Sequence, residues 1–281
     1  MNTPRLQDAI GLYQQGRLDE AAALCDAVLK ETPARFDALY LSGLLTYLRG
    51  DAAAALVLLD AAIALKPASA NALNTKGNVL RVLERSSEAL ASFEVAVAAQ
   101  PDYAEAWYNT GLTQFDLKFY PQARGTAEHA LALKPDYAEA HNLLGLVLKA
   151  LGDDEGALAQ YLQALKIKPD LVVAWSNRGI ALEGLGRGDE ALESYERAVA
   201  FDDSLAEALL NRGVMLLDRG RGVDTLASFE RAAALTSENA EAQWNLSLAY
   251  LQQDEFAKGW ALHHWRERMD GAEPRSFAQP E

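Results

Sequence analysis

The sequence predicts an all-α protein, a right-handed α-solenoid superhelix of about eight helix-turn-helix units. Three observations predict it: a 34-residue repeat, apolar residues at helical spacing in two segments of each repeat, and glycine or proline where helices must end. The repeat shows directly in the letters PDYAEA, which occur at Pro101–Ala106 and again at Pro135–Ala140. Each unit of such a chain packs on its neighbours, so no single central core is needed.

Small residues recur at fixed positions when the sequence is aligned in rows of 34 from Asn2. Positions 20 and 27 hold alanine in most rows, and position 24 holds a large residue. Two helices approach to about 8–10 Å only where the side chains between them are small, so these columns predict helix contacts. The position 8 column is Gly43, Gly77, Gly111, Gly145, Gly179 and Gly213, and the rings at position 24 are Phe93, Tyr161, Tyr195 and Phe229.

Two breaks divide each row into two helices. Glycine fills the first break in five rows, where a helix most easily ends in a left-handed residue. Proline at position 32 ends the second helix, and Asp102, Asp136 and Ser204, each followed three residues later by glutamate, predict capping boxes for the next one. The predicted units are residues 2–35, 36–69, 70–103, 104–137, 138–171, 172–205, 206–239 and 240–270, with 271–281 as a C-terminal tail or linker.

Composition argues against several classes of partner. A formal net charge of −14 disfavours binding to nucleic acid and to anionic membrane surfaces. No window approaches about 18 apolar residues in a row, so no membrane span is predicted. The single cysteine, Cys25, and an N-terminus without a signal-peptide pattern predict a cytoplasmic protein.

No catalytic, metal or cofactor site is predicted. His263 and His264 are neighbours on a helix and project about 100° apart, so they do not converge on one metal. Cys25 falls in the column of large core residues, which favours packing over nucleophilic chemistry. The glycines fall at turns and helix contacts rather than in a phosphate-binding loop. We therefore expect this chain to have no enzyme activity.

The first helix of each unit is expected to line a concave groove. Positions 2, 5, 6, 9, 12 and 13 share its exposed face and carry aromatic, apolar and amide side chains. Amides at position 6 could bond the backbone of an extended peptide, although the alternative is that these side chains pack between repeats. The predicted peptide-binding residues are Tyr40, Tyr47, Asn74, Asn78, Tyr108, Asn109, Phe115, Asn177, Asn211, Trp244 and Asn245.

The whole row pattern resembles the tetratricopeptide repeat: a large residue at position 4, Gly at 8, Ala at 20, an aromatic at 24, Ala at 27 and Pro at 32. The resemblance covers residues 2 to about 270. It implies an α-solenoid that binds a protein or peptide, without naming the partner. The ends depart from the pattern, with Ala9 at position 8 of the first row and Ser247, Gly259 and Arg266 in the small columns of the last.

The last row carries a second resemblance. It is similar to the final repeat of bacterial proteins in which tetratricopeptide units precede a glycosyltransferase domain of the O-linked N-acetylglucosamine transferase-like or heptosyltransferase-like kind. The position 6 amides resemble the asparagine ladder of the O-linked N-acetylglucosamine transferases. The matching residues of the last row are Asn245, Leu246, Phe256, Gly259, Trp260, Trp265 and Arg266.

This resemblance implies the substrate-recognition region of a bacterial protein-modifying glycosyltransferase. The alternative is a stand-alone scaffold or adaptor for assembly of a multiprotein complex. Phe256, Trp260 and Trp265 put much aromatic surface on the last helix, which predicts a docking surface for a C-terminal catalytic domain or for another copy of the chain.

Overall fold

The structure, a computed structural model, describes residues 4–269. These residues form α-helices and one short 3₁₀ helix, without strands. The helices are α1 Pro4–Gln14, α2 Leu18–Glu31, α3 Phe36–Leu48, α4 Ala52–Leu65, α5 Ala70–Val82, α6 Ser86–Ala99, α7 Ala104–Asp116, α8 Tyr120–Leu133, α9 Ala138–Ala150, α10 Asp154–Ile167, α11 Val172–Gly184, α12 Gly188–Phe201, α13 Ala206–Asp218, α14 Gly222–Leu235, α15 Ala240–Gln252 and α16 Phe256–Leu262, followed by the 3₁₀ helix His263–Arg268.

The helices form two compact units, the first ending at Leu151 and the second beginning at Gly152. In the first unit, α1 to α9, each helix packs on the next up to α9, and each odd-numbered helix also contacts the next odd-numbered helix. In the second unit, α11 packs on α12, α13 on α14 and α15 on α16, and α13 also contacts α15. Each unit thus stacks short helices on their sequence neighbours, as a repeat array requires.

The glycine column lies at helix contacts, as predicted. A Cβ on Gly77 would lie 2.4 Å from the ring of Phe93, and one on Gly213 would lie 2.4 Å from the ring of Phe229. The same approach joins Gly179 to Tyr195, at 2.5 Å. All three rings are fully buried. In these three repeats, the ring at position 24 of the second helix therefore packs against the glycine at position 8 of the first helix.

The first break also follows the prediction. Gly16, Gly50, Gly152, Gly186 and Gly220 all have positive φ, between 69° and 91°. Glu84, Lys118 and Asp254 occupy the equivalent break in other rows with φ near 60°, a conformation that side chains rarely adopt. The turn geometry is thus set by the repeat and tolerates residues other than glycine.

The predicted capping boxes are wrong. Helices α7, α9 and α13 begin one residue later than the boxes require, with Tyr103, Tyr137 and Leu205 at the N-cap and no side-chain cap. Side-chain caps occur at other helices. Asp51 accepts from the amide of Ala54 at 2.9 Å and Asp153 from that of Gly156 at 2.8 Å, on the second helices α4 and α10. Asn239 accepts from the amide of Ala242 at 3.0 Å, on the first helix α15.

The seam between units is closed by side chains at position 4. The indole Nε1 of Trp107 donates to the carbonyl of Pro101 at 2.8 Å, and Trp175 makes the same bond to Pro169 at 2.8 Å. Each indole therefore donates to a carbonyl of the turn that follows the preceding helix, α6 or α10, and ties the start of the next helix to that turn.

Candidate peptide-binding faces

Two predicted groove amides, Asn74 and Asn109, are buried and bonded to each other. Nδ2 of Asn109 donates to Oδ1 of Asn74 at 2.9 Å, and the two residues are only 6% and 3% exposed, respectively. Nδ2 of Asn74 lies 3.2 Å from the hydroxyl of Tyr103 and 3.3 Å from Oε1 of Glu105. This burial corrects the expectation that both amides are open to a peptide: they join α5 to α7 and orient Tyr103 and Glu105.

Tyrosine rings surround the carboxylate of Glu105. The rings of Tyr108 and Tyr137 lie 5.1 Å apart and are tilted by 45°. Burial, and then the charge of Glu105, raise the pKa of Tyr103 to about 12. Burial, then Tyr108 and then Glu105, also raise the pKa of Tyr137. At neutral pH these phenols stay protonated, so the cluster offers aromatic surface, hydroxyl groups and one exposed carboxylate.

Helices α1 and α3 enclose a cavity, and its lining residue Tyr40 is close enough to Tyr103 of this cluster to contribute, after burial, to the raised pKa of that phenol. Its volume is about 180 Å³, and its walls combine apolar side chains with one carboxylate. The floor of the cavity is apolar and buried, since Leu6 is 1% exposed and Leu41 is 6% exposed. The carboxylate residue Asp37 is exposed. The lining residues are Leu6, Ile10, Asp37, Tyr40 and Leu41. We call the cavity and the cluster of Asn74, Tyr103, Glu105, Tyr108, Asn109 and Tyr137 the first-unit face.

The other predicted residues of the first unit are half-buried. Tyr47 packs with Tyr40 on a core cluster under α3 and α4. Phe115 lies with its ring 5.5 Å from that of Tyr120, and Asn78 on α5 is also half-buried. Part of each aromatic side chain therefore serves packing between helices, and part stays open to solvent.

The second unit carries a different polar row. The ring of Tyr195 is fully buried against Gly179, while its hydroxyl donates to Oε1 of Glu183 and also bonds Asn211. Asn177, Asn211 and Asn245 are all half-buried. We call Asn177, Glu183, Asn211, Trp244 and Asn245 the second-unit face.

Aromatic side chains end the second unit. The imidazole of His263 lies 5.0 Å from the ring of Trp244 and is stacked 4.8 Å from the ring of Trp260. Phe256 is 55% exposed and Trp260 is 61% exposed, whereas Trp265 is half-buried. We call Phe256 and Trp260 the end surface; Trp265 contributes to it less than the sequence suggested.

Comparison with known proteins identifies the family. The model described as tetratricopeptide repeat matches residues 6–70, 74–124 and 176–224, and one described as TPR repeat matches residues 145–186. Together these matches span more than half of the chain. The chain belongs to the tetratricopeptide repeat family.

Solved structures share the fold of this tetratricopeptide repeat protein. A tetratricopeptide repeat protein from Parabacteroides merdae is 17% identical with a TM-score of 0.70, covering 87% of this chain and 97% of its own. The APC/C hetero-tetramer Cut9-Hcn1 gives 14% identity and a TM-score of 0.75, over 86% of this chain and 48% of the matched chain.

YrrB, described as a TPR protein with an unusual peptide-binding site, is 22% identical with a TM-score of 0.50, over 70% of this chain and 98% of its own. No curated protein matches the chain. The predicted fold class, an all-α solenoid of tetratricopeptide repeats, is confirmed.

Some residues of the first-unit face were not predicted from the tetratricopeptide pattern. Tyr103, Glu105 and Tyr137 were not predicted as site residues, although all three belong to the two copies of PDYAEA. From the sequence, that hexapeptide indicates the repeat and predicts a pair of capping boxes. Its tyrosine stands at the N-cap, where the chain turns into the first helix, and this places the ring on the face.

Residues 4–269 of this tetratricopeptide repeat protein contain no group of three or more His, Cys, Asp or Glu side chains placed to hold a metal ion. Cys25 is fully buried, and burial followed by the charge of Asp26 raises the pKa of its thiol to about 11, in keeping with the predicted core role. Within the same residues, no helix is both long and apolar enough to cross a bilayer.

Proposed function

We propose that this protein recruits a protein partner by holding an extended segment of it against the first-helix faces of its units. The observation that carries the proposal is the first-unit face, where half-buried tyrosines, an exposed carboxylate and a cavity lie together on neighbouring first helices. Aromatic anchors beside pockets are the residues that dominate protein interfaces. Buried amides behind them hold the rings in place, so little ordering is needed on binding.

The second-unit face supports the same role through Trp244 and Asn245. Asn211 forms a hydrogen bond with the hydroxyl of Tyr195, the residue at position 24 of the preceding repeat. Phe229 stands at the equivalent place before Asn245 and has no hydroxyl to offer. Asn245 is thus the amide best placed to bond a partner's backbone, with Trp244 as its apolar neighbour.

Site-specific crosslinking tests the proposal. We expect a photoreactive phenylalanine analogue at Phe115 to yield a covalent adduct with a partner protein in the source cell, because this side chain is half-buried on α7, the helix that carries Glu105 and Tyr108 of the first-unit face. The same analogue at Val57, which is 69% exposed on the second helix α4, is the control and should yield none. Adducts at Val57 but not at Phe115, detected by mass spectrometry, would place binding elsewhere and reject the proposal.

The narrower hypothesis, that the partner is the substrate of an attached glycosyltransferase, rests on two sequence resemblances, that of the position 6 amides and that of the last repeat. Packing accounts for part of that motif. A Cβ on Gly259 would lie 2.6 Å from the side chain of Leu251, and the hydroxyl of Ser247 donates to the Gly259 carbonyl at 2.8 Å. Glycine is therefore required there by the α15–α16 contact, whatever follows the repeat. The exposed Phe256 and Trp260 are parts of the motif that packing within the last repeat does not explain.

A scaffold role through self-association is the second candidate, favoured by the end surface. In the two preceding repeats the residues equivalent to Trp260 are Leu192, which is 8% exposed, and Leu226, which is half-buried, so this position is more covered there. Trp260 at 61% exposure lacks such a cover within residues 4–269. A second copy of the chain would supply apolar surface to it.

Sedimentation velocity over a range of protein concentrations tests this candidate. We expect the wild-type chain to associate as concentration rises and the double variant Phe256→Ser, Trp260→Ser to stay monomeric, because its apolar end is removed. Phe201→Ser is the control, since Phe201 is 48% exposed elsewhere in the second unit. A wild-type chain that is monomeric throughout would exclude self-association and leave the peptide-binding role unaffected.

A further inference from the structure

The cavity of the first-unit face combines two properties that one kind of side chain satisfies. Its floor of Leu6 and Leu41 is buried and apolar, and the carboxylate of Asp37 stands in its wall. Tyr40 supplies an aromatic wall between the two. Lysine and arginine bury an apolar stem while keeping a charged head near a carboxylate or water, so they match this arrangement.

A second carboxylate with aromatic neighbours lies further along the same face. Glu105 is exposed, accepts from Asn74 at 3.3 Å, and raises the pKa values of both Tyr103 and Tyr137. The face of an aromatic ring attracts a cation, and a carboxylate beside it adds a charge partner. Glu105 and its tyrosines therefore offer a second position for a cationic head.

Cations of the first unit already use such rings, but none neutralises these two carboxylates. Lys134 lies over the ring of Tyr137 at 4.6 Å, which leaves its charge on the ring rather than on Glu105. Arg81, the arginine of α5, is paired with Asp116 at 3.0 Å. Among residues 4–269, Asp37 and Glu105 form no ion pair.

We propose that the bound segment is basic, with one lysine or arginine in the cavity beside Asp37 and a second among the tyrosines beside Glu105. This inference rests on the proposed peptide-binding role and names the chemistry of the partner. The chain's net charge of −14 favours encounter with a basic segment, while the two subsites determine where its cations bind.

The repeat fixes the spacing of the two cations. Asp37 and Glu105 occupy the same repeat position on α3 and α7, which are separated by α5 alone. Neighbouring helices lie about 8–10 Å apart, so the two carboxylates are about 16–20 Å apart along the face. An extended chain advances about 3.3 Å per residue, so the two basic residues should be about five or six positions apart.

Synthetic peptides test both charge and spacing. The probes are fluorescein-labelled peptides of equal length on a neutral background, carrying two lysines about six positions apart, two adjacent lysines, two glutamates at the spaced positions, or two glutamines there. Fluorescence anisotropy measures the affinity of each peptide, and an ionic strength of about 0.15 M limits unspecific electrostatic attraction. We expect the spaced-lysine peptide to bind most tightly, and the adjacent-lysine peptide, with the same charge, to bind more weakly.

Variants of the full chain assign the effect to the two subsites. Asp37→Asn and Glu105→Gln should each weaken the spaced-lysine peptide about two- to fivefold, the range for partly exposed ion pairs, and leave the spaced-glutamine peptide unchanged. Glutamine can still accept from Asn74, so the network behind the site is kept. Glu94→Gln is the control. Glu94 is exposed on α6, the second helix of its repeat, and its substitution removes the same charge from the molecule.

The outcomes separate this inference from the proposed function. Equal binding of both lysine peptides, equal effects of Glu94→Gln and Glu105→Gln, equal or tighter binding of the glutamate peptide, or no binding by any lysine peptide would each overturn the basic-segment inference. Crosslinking at Phe115 with none at Val57 would still support the face as a partner site in any of these cases.

Discussion

Replacing Gly77 with leucine is expected to lower the free energy of unfolding by about 1–2 kcal/mol. A Cβ at this position would lie 2.4 Å from the Phe93 ring, which is fully buried and has no room to withdraw. Overpacking of a dense interior costs about 1–3 kcal/mol or more, and leucine's better helix propensity offsets about 0.8 kcal/mol of that. Urea unfolding followed by circular dichroism measures the change.

The same substitution at Gly125 is the control and should have the opposite sign. Gly125 lies in α8, is exposed, and has nothing within 4 Å of the position its Cβ would take. Leucine there gains helix propensity without a clash, so stability should rise by about 0.5–1 kcal/mol. Adding Phe93→Ala to Gly77→Leu frees volume, and the pair should cost less than the sum of the single changes. Equal midpoints for the Gly77 and Gly125 variants would refute the ring-on-glycine contact.

The fold could be predicted because its signals are local and repeated. A glycine at position 8 with an aromatic residue at position 24 occurs in four rows, for example as Gly77 with Phe93. One interpretation of the pattern is therefore checked several times within a single sequence. The capping boxes failed because the spacing of Asp102 and Glu105 is a short-range signal that acidic surface residues also produce. The helix start is one residue later, at Ala104, and Trp107 bonds the preceding turn instead.

The candidate face was predicted in part, for a physical reason. Helical spacing predicts Tyr40 and Tyr108 on the exposed face of first helices, since that follows from 3.6 residues per turn, and both are half-buried on α3 and α7. Spacing alone does not reveal that Asn109 bonds a side chain 35 residues away, because that depends on how closely α5 and α7 approach. Helical spacing also could not predict the roles of Tyr103 and Tyr137, because both lie just outside a helix, where the periodic pattern stops.

The buried amide pair should be the most sensitive polar feature of the first unit. Asn74→Leu keeps the side-chain size but removes the acceptor for Nδ2 of Asn109, which is 6% exposed and gains no water in exchange. Leaving a buried donor unsatisfied costs about 1–3 kcal/mol. We expect a loss of that size in urea unfolding, against less than about 0.5 kcal/mol for Asn71→Leu, an exposed asparagine on the same helix.

A double-mutant cycle decides whether the two amides act as a pair. When both partners of a buried hydrogen bond become apolar groups of similar shape, little desolvation cost remains. Asn74→Leu with Asn109→Leu should therefore be less destabilising than the sum of the single variants, by about 0.5–3 kcal/mol of coupling. Additive losses, or an Asn74→Leu variant as stable as Asn71→Leu, would contradict the pair. The double variant should nonetheless bind the spaced-lysine peptide more weakly than wild type, because Tyr103 and Glu105 lose the amide that orients them.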